Sequence, residues 1–298
     1  MKNNYFFGFV LVVTSGLIWS LGAPMIRFLE DAENYRLPFL FYRGLTIFLV
    51  VIAYVYIREG RDFLNTLKRI DVWSLFGGLV LALAMFGYIY ALTTTSVAVT
   101  LLMLALSPIL SAFLGYLILG EGLSRTTLVN MIIVAFGVIV MVWDADKSGT
   151  LIGATYGFFV ALGFAIYTIT LRHNPEIPKL LTPALAGFFG LILALILILL
   201  TGESFEMPQI NVGLSFMHGL VVSAGLILFG LGAKYLPSGE LVLLTLFEVI
   251  AGIFWAWLPI IGINEVPDIN TIIGGAFIFS AIVIQGFSTR KKNIIPMP

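Results

Sequence analysis

Runs of about 20 apolar residues recur along the whole chain, and as helices they are long enough to cross the hydrocarbon core of a bilayer. No other feature limits the fold so tightly. Within lipid, every backbone N–H and C=O needs a partner inside the protein, so runs of this length fold as helices packed into a bundle. Hydrophobic residues make up 60% of the 298 positions and charged residues 11%, with a mean hydropathy of +1.06. A water-soluble domain of that length needs far more polar surface. The fold class is therefore all-α and integral to a membrane. Net charge is zero, which gives no basic surface for nucleic acid, and Cys is absent, which excludes disulfides and thiolate metal sites. The sequence calls for no cofactor and no metal.

Ten spans can be drawn, at about 5–27, 37–57, 72–92, 97–119, 126–143, 151–171, 181–201, 212–233, 238–258 and 270–288, joined by short connections. The first run follows Lys2 and reaches Arg27 with no small-residue cleavage site, so it is expected to stay as a helix. With the N-terminus inside, the sixteen basic residues divide into twelve inside, three outside (Arg27, Arg36 and Lys147) and Arg43 within a span. That bias follows the positive-inside rule and predicts cytoplasmic termini in the cytoplasmic (inner) membrane.

The chain also repeats itself. The stretch ending at Glu121 has a counterpart ending near Glu265, and GLIWSLGAPMIR in the first span is echoed by GFAIYTITLR in the sixth. Two repeats of five helices enter a membrane from opposite sides because five is odd. Secondary transporters use that inverted construction, with substrate held near the midplane between the halves. The seam falls in the loop from Asp144 to Thr150, which gives repeats at 1–146 and 147–298.

Three stretches carry a family resemblance: WSLGAPMIR (Trp19 to Arg27), the arginine of FYRGL (Arg43), and SPILSAFLGYLILGE (Ser107 to Glu121). With the order and spacing of the spans, they make the chain similar to the drug/metabolite transporter superfamily, of the ten-helix type with two EamA domains. The resemblance implies amino acids, amines, nucleobases or similar metabolites as substrates, moved in either direction. The chain departs from the family pattern after the acidic residue of the ninth span, where Val249 stands in place of a frequent proline. The helix break expected there is weaker than the one at Pro108.

The sharpest candidate for chemistry is Glu248, in a run otherwise apolar from Leu241 to Leu258. A carboxylate at a helix centre costs roughly 2.5–3.5 kcal/mol on insertion scales, so it should face protein or water and by default marks a functional site. On a 3.6-residue helix it shares a face with Thr245, Gly252 and Trp255. It can bind a cationic substrate, couple transport to protons, or serve structurally by pairing with Arg43 or a hydroxyl. Arg43 has matching alternatives: a fork for a substrate carboxylate, or a strut that snorkels or pairs with Glu248. Ser107 on the fourth span, with Trp19, Tyr90, Tyr167 and Trp255, lies on faces that also bear small or hydroxyl residues, and these complete the candidate pocket.

Elsewhere the bland reading leads. Ser111 and Gly115 continue a small-residue stripe for helix packing. His218 reads as a packing histidine, Glu240 as a helix cap, and Glu121 and Glu265 as interfacial or gating residues. Pro24 and Pro108 should kink the first and fourth spans.

The function that fits is a secondary active transporter for a small polar or amphiphilic metabolite, working by alternating access as a monomer or homodimer among membrane lipids. The alternatives are an integral-membrane enzyme or a channel-like permease. An enzyme would need a nucleophile–base pair or clustered metal ligands, and the chain has no Cys and two His. A channel would show a selectivity filter or a ring of charges.

Overall fold

The computed structural model describes residues 2–120, 122, 125–143, 150–173, 180–232, 235–236 and 238–292. Within these, the side chains of 2–4, 171–173, 238–243, 245–246 and 286–292 are not described. The Asp144–Thr150 seam up to residue 149, Glu121, and the side chains of Glu240 and Thr245 thus lie outside the described residues.

Every regular element among the described residues is helical. In chain order they are α1 (Lys2–Ser20), α2 (Gly22–Ile26), α3 (Arg36–Glu59), α4 (Phe63–Leu67), α5 (Val72–Thr94), α6 (Val97–Leu104), α7 (Ser107–Leu119), α8 (Arg125–Val142), α9 (Thr150–His173), α10 (Leu181–Thr201), α11 (Gln209–Gly232), α12 (Ser238–Trp257) and α13 (Ile269–Lys292). Eight stretches are long and apolar enough to cross a membrane, with α1–α2 and α6–α7 each counting as one. α12 and α13 contribute the shorter apolar segments Phe247–Trp257 and Ile269–Gln285. The protein is an all-α, multi-pass membrane protein, and these elements are compatible with ten spans. Large side chains such as Ile132, Phe136, Leu199 and Leu200 stand on the outer surface, where only lipid makes them favourable.

Local chemistry sets the helix ends. Asp71 opens α5 through a capping box with Ser74, and the Ser96 hydroxyl accepts from Val99 N at the start of α6. Gly120 and Gly202 end α7 and α10 in the left-handed conformation, where a side chain would clash.

Two spans break. The first is interrupted at Leu21, three residues before Pro24, and the fourth at Ala105–Leu106, just before Pro108. Each proline lacks the N–H that would bond the carbonyl four residues back, so the ladder opens ahead of it. α12 instead runs unbroken through Val249, as the missing proline predicts.

The packing repeats between the halves. α1 packs on α11 as α9 packs on α5, α3 packs on α11 as α10 packs on α5, and α1 packs on α12 as α9 packs on α6 and α7. α3–α10, α6–α12 and α8–α13 join corresponding helices, while α12 packs on α13 more extensively than its counterpart α7 packs on α8. Two of these self-paired contacts depend on glycine. A Cβ on Gly187 would stand 2.5 Å from Phe48 N of α3, and one on Gly137 would stand 2.7 Å from the Gly274 carbonyl of α13. Backbones that approach this closely leave no room for side chains.

Candidate functional site

α12 brings the sequence-predicted face of Glu248, Gly252 and Trp255 against the first and fourth spans. Gly16 of α1 packs where a Cβ would lie 3.5 Å from Glu248 N, and Gly252 closes on Leu101 of α6 and the Ser20 carbonyl. The Trp255 indole donates to the Ser20 hydroxyl at 3.0 Å, tying α12 to α1 at the break in the first span. Glu248 is half-buried, and its carboxylate has no hydrogen bond or ion pair among the described residues. A carboxylate in that state is held ready for a cation, a proton or a donor from a ligand. Thr245 shares its helix face, but its side chain is outside the described residues.

Arg43 is otherwise engaged. It is 4% exposed, its Nε donates to His218 Nδ1 at 2.9 Å, and Nη1 reaches the Met85 carbonyl at 3.5 Å. Nη2 has no hydrogen-bond partner among the described residues. Of the structural alternatives for this arginine, pairing with Glu248 is not what the geometry shows: among the described residues no ion pair joins them. The strut that does form is Arg43–His218, between α3 and α11. Since Nδ1 accepts from a guanidinium, the neutral imidazole must carry its proton on Nε2. That Nε2 is buried without a partner and abuts Gly22 of α2, where a Cβ would lie 3.1 Å away. Phe39 meets the ring edge-on at 5.6 Å.

Tyr88 is buried on α5. It sits three residues after Met85 on α5, hence on the face that bonds Arg43. Sequence reasoning chose Tyr90 instead. That ring stacks on Tyr156 at 5.6 Å and lies under the Arg36 guanidinium at 4.9 Å, close to Thr93 and Thr94 at the end of α5. Tyr88 and Tyr90 are two positions apart and so project about 200° apart around the helix. The available signal was spacing, because Leu81, Met85 and Tyr88 form one buried stripe.

The other candidates lie apart from Glu248. Trp19 donates to the Val222 carbonyl at 3.2 Å and leans on Phe229 at 5.6 Å, in a notch left by Gly225. Tyr167 packs with Trp19 against the apolar cluster of Ile47, Met85 and Leu226. Ser107 is half-buried at the start of α7, at the break in the fourth span, while the Thr100 hydroxyl turns back onto the Ser96 carbonyl. The structure thus groups Glu248 with Trp255 and Ser20, and Arg43 with His218 and Tyr88. Trp19 and Tyr167 flank the second group, whose Met85 they contact.

Residues 6–143 match the EamA-like transporter family. Several similar proteins are named as transporters. An uncharacterized transporter of Clostridium kluyveri is 25% identical over 74% of this chain and 73% of its own length. One from Helicobacter pylori is 27% identical over 72% of this chain and 70% of its own. Another, YojE of Bacillus subtilis, is 26% identical over 77% of this chain and 78% of its own. A solved crystal structure shares the fold, with a TM-score of 0.65, 18% identity and coverage of 95% of this chain and 98% of that one. The protein is a multi-pass membrane protein whose first half is similar to EamA-like transporters.

Proposed function

We propose that this transporter moves a small amphiphilic metabolite with a cationic group, an amine or an amino acid, across the cytoplasmic membrane by alternating access. The two inverted five-helix repeats, 1–146 and 147–298, rock about a site near the midplane, and both termini are cytoplasmic. The observation that carries this reading is Glu248: a half-buried intramembrane carboxylate with no partner among the described residues, in a bundle whose intramembrane arginine is already held by His218. A ligand cation supplies the missing partner. The Nη2 of Arg43, without a hydrogen bond among the described residues, offers a donor for a ligand carboxylate. Trp255 beside Glu248, and Trp19 and Tyr167 near Met85, provide aromatic surface for the ligand. Most helix pairs in one half have a packed counterpart pair in the other, which supports the two-repeat construction.

The test begins with purified protein screened by thermal shift against amines and amino acids, since a ligand of the native state raises its apparent stability. The ligand with the largest shift is then measured in proteoliposomes. Saturable uptake, accelerated by unlabelled ligand on the far side, is the expected result. Flux that rises linearly with concentration and shows no such acceleration would mean a channel. Chemical conversion of the ligand by the purified protein would mean an enzyme.

A further inference from the structure

The geometry points to Arg27 and Glu265 as the gate that closes one end of the transport path, with the short helix α2 as the moving part. Four of the five α2 residues, Gly22, Ala23, Pro24 and Ile26, are buried, and α2 packs against α5, α11 and α12. It therefore plugs the space between helices of both halves. Its inner end is the break at Leu21, beside the site of Glu248 and His218. Its outer end is Arg27, and there the chain is latched.

Arg27 Nε donates to Glu265 Oε2 at 2.9 Å, Nη1 donates to the Leu92 carbonyl and Nη2 to the Thr95 carbonyl. Glu265 in turn accepts from Val97 N through Oε1, while its own N–H donates to the Ala256 carbonyl at 2.9 Å. The pair thus binds the end of α5, the start of α6 and the end of α12 in one cluster. A second tie lies beyond it, where Glu30 N donates to Asn211 Oδ1 at 2.9 Å and Asn211 Nδ2 donates to the Glu30 carbonyl at 2.8 Å. Charged residues whose side chains are 23% and 20% exposed are wet enough to part and re-form, unlike a fully buried pair.

The orphan His218 Nε2–H fits the same movement. Gly22 covers it in this state, and a swing of α2 about Leu21 uncovers it to the path. A buried donor left without a partner is costly, so this closed state carries a bias towards opening that the Arg27 cluster offsets.

The gate rests on the alternating-access reading, but its test is read without substrate, so the two fail separately. The native chain has no Cys, so Ala23→Cys, at a position with 0% exposure, provides a single reporter. Its modification by a membrane-impermeant methanethiosulfonate, applied to each face of vesicles in turn, reports opening. The expected result is slow labelling from the face that carries Arg27 and none from the other. Glu265→Gln and Arg27→Lys should each speed it by more than about fivefold, while Glu203→Gln, an exposed charge, should leave it unchanged. Arg27→Lys keeps the charge and loses the fork, so it decides the matter where Glu265→Gln does not fold. Labelling at equal rates from both faces, or a rate within twofold of the parent in folded latch variants, overturns the proposal.

Discussion

The two halves share a packing scheme but not a way of being polar inside the membrane. In the first half the intramembrane cation, Arg43, is tied to His218, and the first and fourth spans break at Leu21 and at Ala105–Leu106, ahead of Pro24 and Pro108. In the second half the corresponding helices α9 and α12 run unbroken, and α12 carries the unpaired carboxylate Glu248. A broken helix can hinge, whereas a continuous one holds a carboxylate at fixed depth. The comparison assigns movement to the first half and the free acidic group to the second.

The strongest way to break this difference is to force the second half to resemble the first. Val249 is 5% exposed in the middle of α12, and a proline there removes a helix bond and collides with the preceding turn. Val249→Pro should therefore cost about 3 kcal/mol or more. It should appear as a large fall in Tm or as loss of monodisperse protein. Pro108→Ala should cost under about 1.5 kcal/mol and slow transport instead, because it repairs a hinge rather than cutting a strut. Equal stability losses from the two would mean that the halves are not specialised.

The shared packing can be broken next. Gly187→Leu drives a side chain into α3, and Gly274→Leu drives one into α8, where the Gly137 carbonyl lies. Overpacking of this kind costs about 1–3 kcal/mol, and thermal unfolding should show similar losses for both. A tolerated substitution at either site would show that the contact is not the close approach seen here.

A comparable effect is expected where the halves are joined by Arg43 and His218. His218→Leu leaves the Arg43 Nε without its acceptor, at a cost of about 1–3 kcal/mol, and frees the guanidinium from its fixed position. His218→Asn offers an oxygen in place of Nδ1 and should recover part of both stability and ligand affinity. If Leu and Asn behave alike, the histidine is only filling space.

The smallest effect is at Asp268, which caps α13 in the second half as Asp71 caps α5 in the first. Partial burial pushes its carboxyl up, but hydrogen bonds from the Thr271 backbone and hydroxyl and from the Asn270 backbone outweigh that and leave it lowered from its ordinary 3.8. A lowered group stabilises the fold above its unfolded value, and that contribution is lost as pH falls through the folded one. Unfolding temperature should therefore drop more steeply on the acid side in the parent than in Asp268→Asn, by a small margin because the group is mostly solvated. Identical acid limbs would show that the cap contributes nothing.

The spans were legible because lipid makes length and apolarity decisive. Arg36–Glu59 and Leu181–Thr201 begin and end within two residues of the positions read from hydropathy. The breaks were legible because proline acts locally, and so was the face of Glu248, Gly252 and Trp255, because helical spacing is fixed. The partners were not. Nothing in the sequence says that Arg43 meets His218, 175 positions away, rather than Glu248. Both pairings satisfy the chemistry, and only the packing of α3 on α11 decides between them. Tyr88 was passed over for Tyr90 because neighbouring aromatics look equivalent until the buried face of α5 is known. Glu265 was read only as interfacial or gating, since its role depends on a loop fold that brings it to Arg27.

The assignment of the free acidic group to the second half is tested most directly at Glu248. Glu248→Gln keeps the shape of the side chain and removes its ability to ionise. In proteoliposomes, the amine or amino acid selected by thermal shift should accumulate against its gradient with the parent protein. The variant, equally folded and inserted, should lose that accumulation together with any dependence on pH from about 5 to about 8. Retained exchange without accumulation would assign the carboxylate to proton coupling, and lost binding would assign it to the substrate site. Unchanged uphill transport by Glu248→Gln across that pH range would contradict both roles and reduce Glu248 to a packing residue.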